Sequence, residues 1–271
     1  MPSYVITGVS KGLGFELLRQ VSSDAKNTVI GLVRDKPATE KKVFKELSGR
    51  SNIHILQGDL EDLSSLQKAA GDTATITGGS LDYLIANGGY VPQWDAYDPI
   101  GTLGKNPKRI EEELTKLYNT NIVGNINLYN MFMPHIMNGN VKKVVAISSG
   151  LSDLRSVNGL EIEGSALYAI VKAGLNILTA KFSAQYKKDG VLFLSICPGM
   201  VDVGHYDNAT SKQLEVMKGM EAKFKAAIPT FTGASTPEVA IRNVIEIWEK
   251  SSIENGDGGT FLSSRGTKYG Y

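Results

Sequence analysis

The chain has 271 residues, 42% of them hydrophobic and 21% charged, and its 29 basic and 28 acidic side chains leave a formal net charge of +1. That length and balance describe an ordinary globular chain able to bury a substantial core. They exclude the basic surplus of a nucleic-acid binder and the like-charge blocks of an interaction tail. The single cysteine, Cys197, rules out an intramolecular disulfide and fits a reducing compartment. No apolar run approaches the roughly 18 residues of a membrane span. The N-terminal segment lacks the basic stretch and longer apolar region of a secretory signal. The expectation is a soluble cytoplasmic protein with neither nucleic acid nor membrane as partner.

In chain order, Val-, Ile- and Leu-rich runs and helical spacings alternate. A strand is expected at 4–7, a helix at 13–21, a strand at 28–33, a helix at 40–47 and a strand at 53–57. Then follow a helix at 63–70, a strand at 81–86, a helix at 108–133, a strand at 144–148 and a helix at 165–186. A strand at 191–196, a helix at 237–250 and a strand at 260–262 complete the series. Thr236-Pro237 is a strong helix start, a capping hydroxyl followed by proline at the first helical position. Short apolar strands alternating with helices mean crossover units, so the expected fold is α/β. It is a doubly wound parallel sheet with helices on both faces, and no linker divides residues 1–271 into separate domains.

Two stretches interrupt the alternation. Residues 90–107 contain Pro92, Pro99, Gly101, Gly104 and Pro107 and read as a long loop. Residues 201–236 start as a loop and then hold a helical pattern at Leu214, Val216, Met217, Met220 and Phe224. Both leave carboxyl ends of strands, where open α/β sheets bind ligands, so both are expected to wall a substrate pocket.

Thr7-Gly8-Val9-Ser10-Lys11-Gly12-Leu13-Gly14 follows the first strand and opens the first helix. Gly8 permits a tight turn, Gly12 lets backbone approach a ligand, and Gly14 lets the helix pack closely. A pyrophosphate can then sit on the free N–H groups of the helix start. The alternative is a glycine-rich turn without a ligand. The second strand ends in Val33 followed by Arg34, where a 2′-phosphate needs a cation and a free 2′-hydroxyl is usually met by a carboxylate. The arginine fork suits phosphate, and Lys11 and Ser10 add a second cation and a hydroxyl. The expected cofactor is therefore NADP(H). Asp35 is the rival feature, since a carboxylate there would favour NAD.

Tyr168-Ala169-Ile170-Val171-Lys172 places a phenol and an ammonium four residues apart, on one face of a helix. A tyrosine ordinarily titrates near about 10, and a neighbouring ammonium is expected to lower that value. Tyr168 could then exchange a proton with a carbonyl oxygen. The alternative is a pair of surface residues.

Taken in order, the Thr-Gly-x-x-x-Gly-x-Gly turn, Asn87-Gly88-Gly89, Ser148-Ser149, Tyr168-x-x-x-Lys172 and Cys197-Pro198-Gly199 resemble the short-chain dehydrogenase/reductase family. The flavour is that of its carbonyl-reductase-like members, over residues 3 to about 265. The resemblance implies an adenine contact at Asp59 and Leu60, and backbone approach to the cofactor at Asn87 and Gly88. It implies a nicotinamide-side turn at Pro198 and Gly199, with Val201 backbone beside it. It also implies four catalytic residues. Ser149 hydrogen-bonds the substrate oxygen, Tyr168 moves the proton, Lys172 holds the ribose and tunes Tyr168, and Asn121 supports a water-mediated path to the lysine. The implied activity is NADP(H)-dependent interconversion of a carbonyl and an alcohol on a small organic substrate. A redox-neutral isomerase or dehydratase, or a non-catalytic dinucleotide-binding protein, are the alternatives.

Two departures stand out. Ser149 and Tyr168 are 19 positions apart, longer than the family's usual interval, and the extra residues at 150–164 are expected to reshape the substrate mouth. Val203 stands near the place of a threonine that often contacts the nicotinamide amide. A homo-oligomer, dimer or tetramer, is expected through the helices at 108–133 and 165–186, with Leu117, Val123, Leu128, Leu175 and Leu178 as apolar contacts unless these face the chain's own sheet. His54, His135 and His205 lack metal-ligand spacing. His205, Trp94, Tyr97, Met200 and Tyr206 are as readily packing or solvated residues as pocket walls.

Overall fold

The structure, a computed structural model, describes residues 1–228 and 231–268. Seven parallel strands form one sheet in the order β3-β2-β1-β4-β5-β6-β7. They are β1 Ser3–Thr7, β2 Thr28–Val33, β3 Ile53–Gln57, β4 Tyr83–Ala86, β5 Lys143–Ile147, β6 Leu192–Ile196 and β7 Phe261–Leu262. β1, β4 and β6 are buried along their whole length. Strands covered on both faces read as continuous apolar runs, which is why the sequence located them to within one or two residues.

The helices are α1 Gly12–Val21, α2 Lys36–Glu46, α3 Leu63–Thr77, α4 Ile100–Leu103, α5 Pro107–Tyr118, α6 Gly124–Met137, α7 Leu154–Gly159, α8 Ala166–Tyr186, α9 Ser211–Ala227 and α10 Pro237–Lys250. One apolar layer packs α1 and α10 on the sheet, with Leu17, Leu18 and Trp248 fully buried. The other packs α3, α6 and α8, around Leu66, Tyr129, Phe132 and Phe193. Strand order reverses between β1 and β4, so the carboxyl ends of these two strands open a crevice.

Several boundaries differ from the sequence reading for identifiable reasons. α2 starts four residues earlier than expected, because Asp35 accepts the Ala38 amide as a cap. α3 runs seven residues further, to Gly78 in the left-handed conformation. The helix expected at 108–133 is broken by a π-helical segment at Asn119–Val123. The 90–107 loop contains the single turn α4, and residues 150–164 carry a 3-10 turn at Gly150–Ser152 followed by α7. Among the described residues, no helix is long and apolar enough to cross a membrane.

Of the five apolar residues expected at a subunit interface, three are buried within the chain, and Val123 and Leu178 are half-buried. Leu117, Leu128 and Leu175 are buried within the chain, at 0%, 0% and 1% exposure, and Leu178 packs against the same core as Phe182. Helical periodicity marks an apolar face without saying what covers it; here the chain's own sheet and neighbouring helices do. The apolar side chains that α8 leaves exposed are Ile170 and Ile177.

Candidate active site

Six helices are capped by their own N-cap side chain: Asp35 on α2, Asp62 on α3, Asn106 on α5, Asp153 on α7, Thr210 on α9 and Thr236 on α10. α1 is different. Its N-cap, Lys11, makes no capping bond, and its first turn carries no acidic side chain. The first amides of α1 therefore lack a side-chain partner at the crevice, the arrangement that binds anions.

The glycine turn brings backbone together closely enough to leave this end open. Gly8 has φ +74°, and a Cβ there would stand 2.8 Å from Gly88 Cα; one on Gly14 would run into the Gly8 carbonyl oxygen. Thr7 ties the two switch-point turns, its hydroxyl accepting from the amides of Asn87 (3.1 Å) and Gly88 (2.8 Å). Asn87 Nδ2 returns a bond to the Thr7 carbonyl at 3.0 Å. The result is a cleft of about 720 Å³ lined by Gly8, Ser10, Lys11, Gly12, Leu13, Gly14, Arg34, Asp59, Leu60, Asn87 and Gly88, among others.

Three cations stand at the glycine-turn end of the cleft. Arg34 and Lys11 are exposed on the cleft wall. Lys42 joins them from α2, its Nζ 3.3 Å from the Ser10 carbonyl and 4.0 Å from the Phe15 ring centre. Asp35, which follows Arg34 at the β2 end, caps α2 by accepting the Ala38 amide on Oδ1 at 3.0 Å. Asp59 accepts the Glu61 amide at 3.1 Å, a local turn, while still lining the cleft.

The candidate catalytic residues lie on a different wall. Ser149, Tyr168, Lys172, Pro198, Gly199 and Val201 are absent from the lining of that cleft and gather at the carboxyl ends of β5 and β6. Lys172 is 7% exposed and donates to the Ile147 carbonyl at 2.6 Å. Its Nζ stands 5.7 Å from the Tyr168 ring centre. Burial lowers Lys172 to about 8. Burial also pushes the Tyr168 hydroxyl up, with Cys197, Tyr206 and Asp95 adding to the rise. The direction is opposite to the lowering expected from Lys172, because the groups facing the phenol, and its desolvation, all disfavour the phenolate.

Ser149 caps the 3-10 turn, accepting the Leu151 amide at 3.2 Å. Acceptance occupies one lone pair and leaves the hydroxyl proton available to donate. Asn121, 1% exposed, sits in the π-helical segment with its amide facing Tyr90. Its Oδ1 accepts the Tyr90 amide at 2.7 Å and its Nδ2 donates to the Tyr90 carbonyl at 2.9 Å. Its side chain thus pins the start of the 90–107 loop. Beyond Tyr168 lies an aromatic group: Tyr206 meets Tyr97 edge-on at 5.9 Å and His205 at 4.8 Å. His205 lines the cleft, and burial lowers its pKa. Trp94 packs under Arg109, 4.7 Å from the guanidinium, in the small core of α5 and α8. Val203 lies 3.7 Å from where a Gly12 Cβ would be.

A family profile for short chain dehydrogenases matches residues 3–214. The chain belongs to that family. It is 54% identical over 268 residues to the short chain dehydrogenase virK of Hypocrea virens, covering 99% of both chains. It is 52% identical over 269 residues to the short-chain dehydrogenase/reductase iacC of Pestalotiopsis fici, again covering 99% of both. Its fold is similar to that of the NADPH-bound carbonyl reductase from chicken fatty liver, with a TM-score of 0.76, 21% identity and 98% of each chain covered. The carbonyl reductase Sniffer of D. melanogaster gives 0.76 at 20% identity over the whole of both chains. The family is one of oxidoreductases that use nicotinamide dinucleotides.

Within this short chain dehydrogenase, the structure brings the glycine turn, Arg34, Asp59 and Asn87 to one cleft, since each follows a strand end. The sequence did not single out Lys42 or Asp95. Lys42 lies 32 residues from Ser10, and α2 carries several lysines with nothing to mark this one. Asp95 is fully buried within a loop marked in the sequence only by its prolines and glycines; nothing there separates it from Asp98, three residues on.

Proposed function

We propose that this chain is a cytoplasmic NADP(H)-dependent reductase interconverting a carbonyl and an alcohol on a small organic substrate, with residues 1–271 acting as one catalytic unit. The observation that carries the reading is the Tyr168–Lys172 pair. One helix face presents both to the carboxyl ends of β5 and β6, and the lysine is buried and anchored to the β5 end.

The cradle fits the dinucleotide. The uncapped start of α1 and the turn Gly8–Gly14 would hold the pyrophosphate, with Arg34, Lys11 and Ser10 on the 2′-phosphate. Asp59 and Leu60 would meet the adenine, and the chain's backbone at Asn87 and Gly88 would approach the cofactor. Pro198, Gly199 and Val201 would form the nicotinamide side. Arg34 and Lys11, exposed on the cleft wall, support the phosphate-bearing form over NAD. When bound, the cofactor supplies the hydride.

The residues of the chain manage the oxygen and the proton. Ser149 Oγ donates a hydrogen bond to the substrate oxygen and stabilises charge gathering there. Tyr168 Oη delivers the proton; its hydroxyl carries that proton at neutral pH, the form that reduction needs. Lys172, charged below about pH 8, favours the phenolate that remains. Asn121 steadies the loop beside the site through Tyr90.

Oxidation of NADPH, followed by its absorbance across ketones, aldehydes and quinones, tests the reading. Consumption with at least one carbonyl, faster with NADPH than with NADH, is expected. Conversion of substrate without any absorbance change would replace it with redox-neutral chemistry.

A further inference from the structure

The first turn of α8 is capped from outside the helix. Its own N-cap, Ser165, adopts φ 57° and makes no capping bond. Asp95, 73 residues before Tyr168, takes that place. The Asp95 carbonyl accepts the Ser165 amide at 2.7 Å. Its carboxylate Oδ2 accepts the Tyr168 amide at 2.9 Å, and the Leu167 amide faces the same group. A capping side chain ordinarily serves the second and third amides of its own helix; Leu167 and Tyr168 hold those positions in α8. The loop is seated tightly, since a Cβ on Gly164 would stand 2.7 Å from the Ala96 carbonyl oxygen. Asp95 is fully buried, and its Oδ1 has no partner. Burying a carboxylate with an oxygen unpaired is unfavourable, so this loop holds a charge where an apolar side chain would pack more favourably.

We propose that Asp95 is a positioning residue for Tyr168: it clamps the 90–99 loop onto the first turn of α8 and so sets where the Tyr168 hydroxyl stands. The inference rests on the reductase reading. The clamp bonds the backbone of Tyr168 itself, so its loss shifts the hydroxyl directly, and small displacements of a reacting group are expensive. The charge acts as well. Asp95 from the loop, Cys197 from the end of β6 and Tyr206 from the segment beyond it oppose Tyr168 ionisation, while Lys172 on the same helix is the cation. Glu113 of α5 and burial in turn raise the Asp95 carboxyl.

The test compares Asp95→Ala and Asp95→Asn in the full chain. Steady-state kinetics would be measured against pH, and amide hydrogen exchange at residues 166–168. Asp95→Ala should lower kcat about tenfold or more while KM for NADPH moves less than about threefold, with faster exchange in that turn. Asp95→Asn keeps an oxygen for the Tyr168 amide and loses the charge. It should retain most of kcat and slow exchange, with the tyrosine limb of the pH profile shifted to lower pH. Wild-type kcat in the alanine variant overturns the proposal, as does an asparagine variant with an equal loss and an unmoved limb. If the alanine variant does not fold, the limb of the asparagine variant decides. A wild-type chain inactive on every carbonyl sinks the reductase reading instead, and amide exchange then judges the clamp alone.

Discussion

Lys172 Nζ donates a 2.6 Å hydrogen bond to the carbonyl of Ile147, the last residue of β5. The ammonium is thus held two residues before Ser149, on the strand that ends at the site. The bond satisfies one donor of a group that is otherwise removed from water.

A stability consequence follows for Lys172→Met. Burial lowers the lysine from its ordinary 10.5 to about 8. The folded chain therefore binds fewer protons than the unfolded chain between those values, and stability rises with pH across that window. At pH 7 the buried charge is worth up to about 3 kcal/mol against folding, offset in the variant by an orphaned Ile147 carbonyl. Lys172→Met should melt no lower than wild type at pH 7, with the comparison turning toward wild type at pH 9.5. Turnover should fall about 100-fold, with weaker NADPH binding. Thermal melts at both pH values check this; a variant that melts well below wild type at neutral pH contradicts it.

Tyr168→Phe keeps the ring and removes the acid. The rate should drop below about a tenth of wild type, the least expected for losing a positioned acid. NADPH affinity, read by fluorescence titration, should be largely intact, and a variant that keeps its rate removes Tyr168 from the mechanism.

Cofactor choice is tested by replacing Arg34 and Lys11 with alanine. NADPH affinity should fall by about tenfold or more, consistent with charge-assisted phosphate contacts, while NADH affinity changes little. Adding Lys42→Ala should deepen the NADPH loss, because its Nζ lies beside Ser10. Equal losses for both dinucleotides would reject the 2′-phosphate assignment.

The two sets of apolar residues on α8 should behave oppositely. Leu175→Ala opens a cavity in the interior and should destabilise by about 2–5 kcal/mol. Ile177→Glu alters an exposed position, 63% accessible, and should leave melting nearly unchanged. A homodimer formed through the exposed face of α8 should dissociate in an Ile170→Glu, Ile177→Glu double variant. Light scattering decides it, and a wild-type monomer at micromolar concentrations rejects the dimer.

The order of strands and helices, the glycine turn and the Tyr168–Lys172 spacing were all legible in the amino-acid sequence. Buried parallel strands must be apolar along their length, and residues four apart share a helix face whatever the rest of the chain does. These are local constraints. Tertiary structure decided what no local pattern contains. The same leucine period serves an interior or an interface, and only packing put Leu117, Leu128 and Leu175 inside. Proximity of lysine to tyrosine suggested a lowered phenol, yet desolvation and the groups that the fold places against Tyr168, Cys197, Tyr206 and Asp95, push it up. Asp95 reaches Tyr168 across 73 residues. Hydrogen bonds and desolvation depend on distances in space, which the chain acquires only when distant segments close on one another.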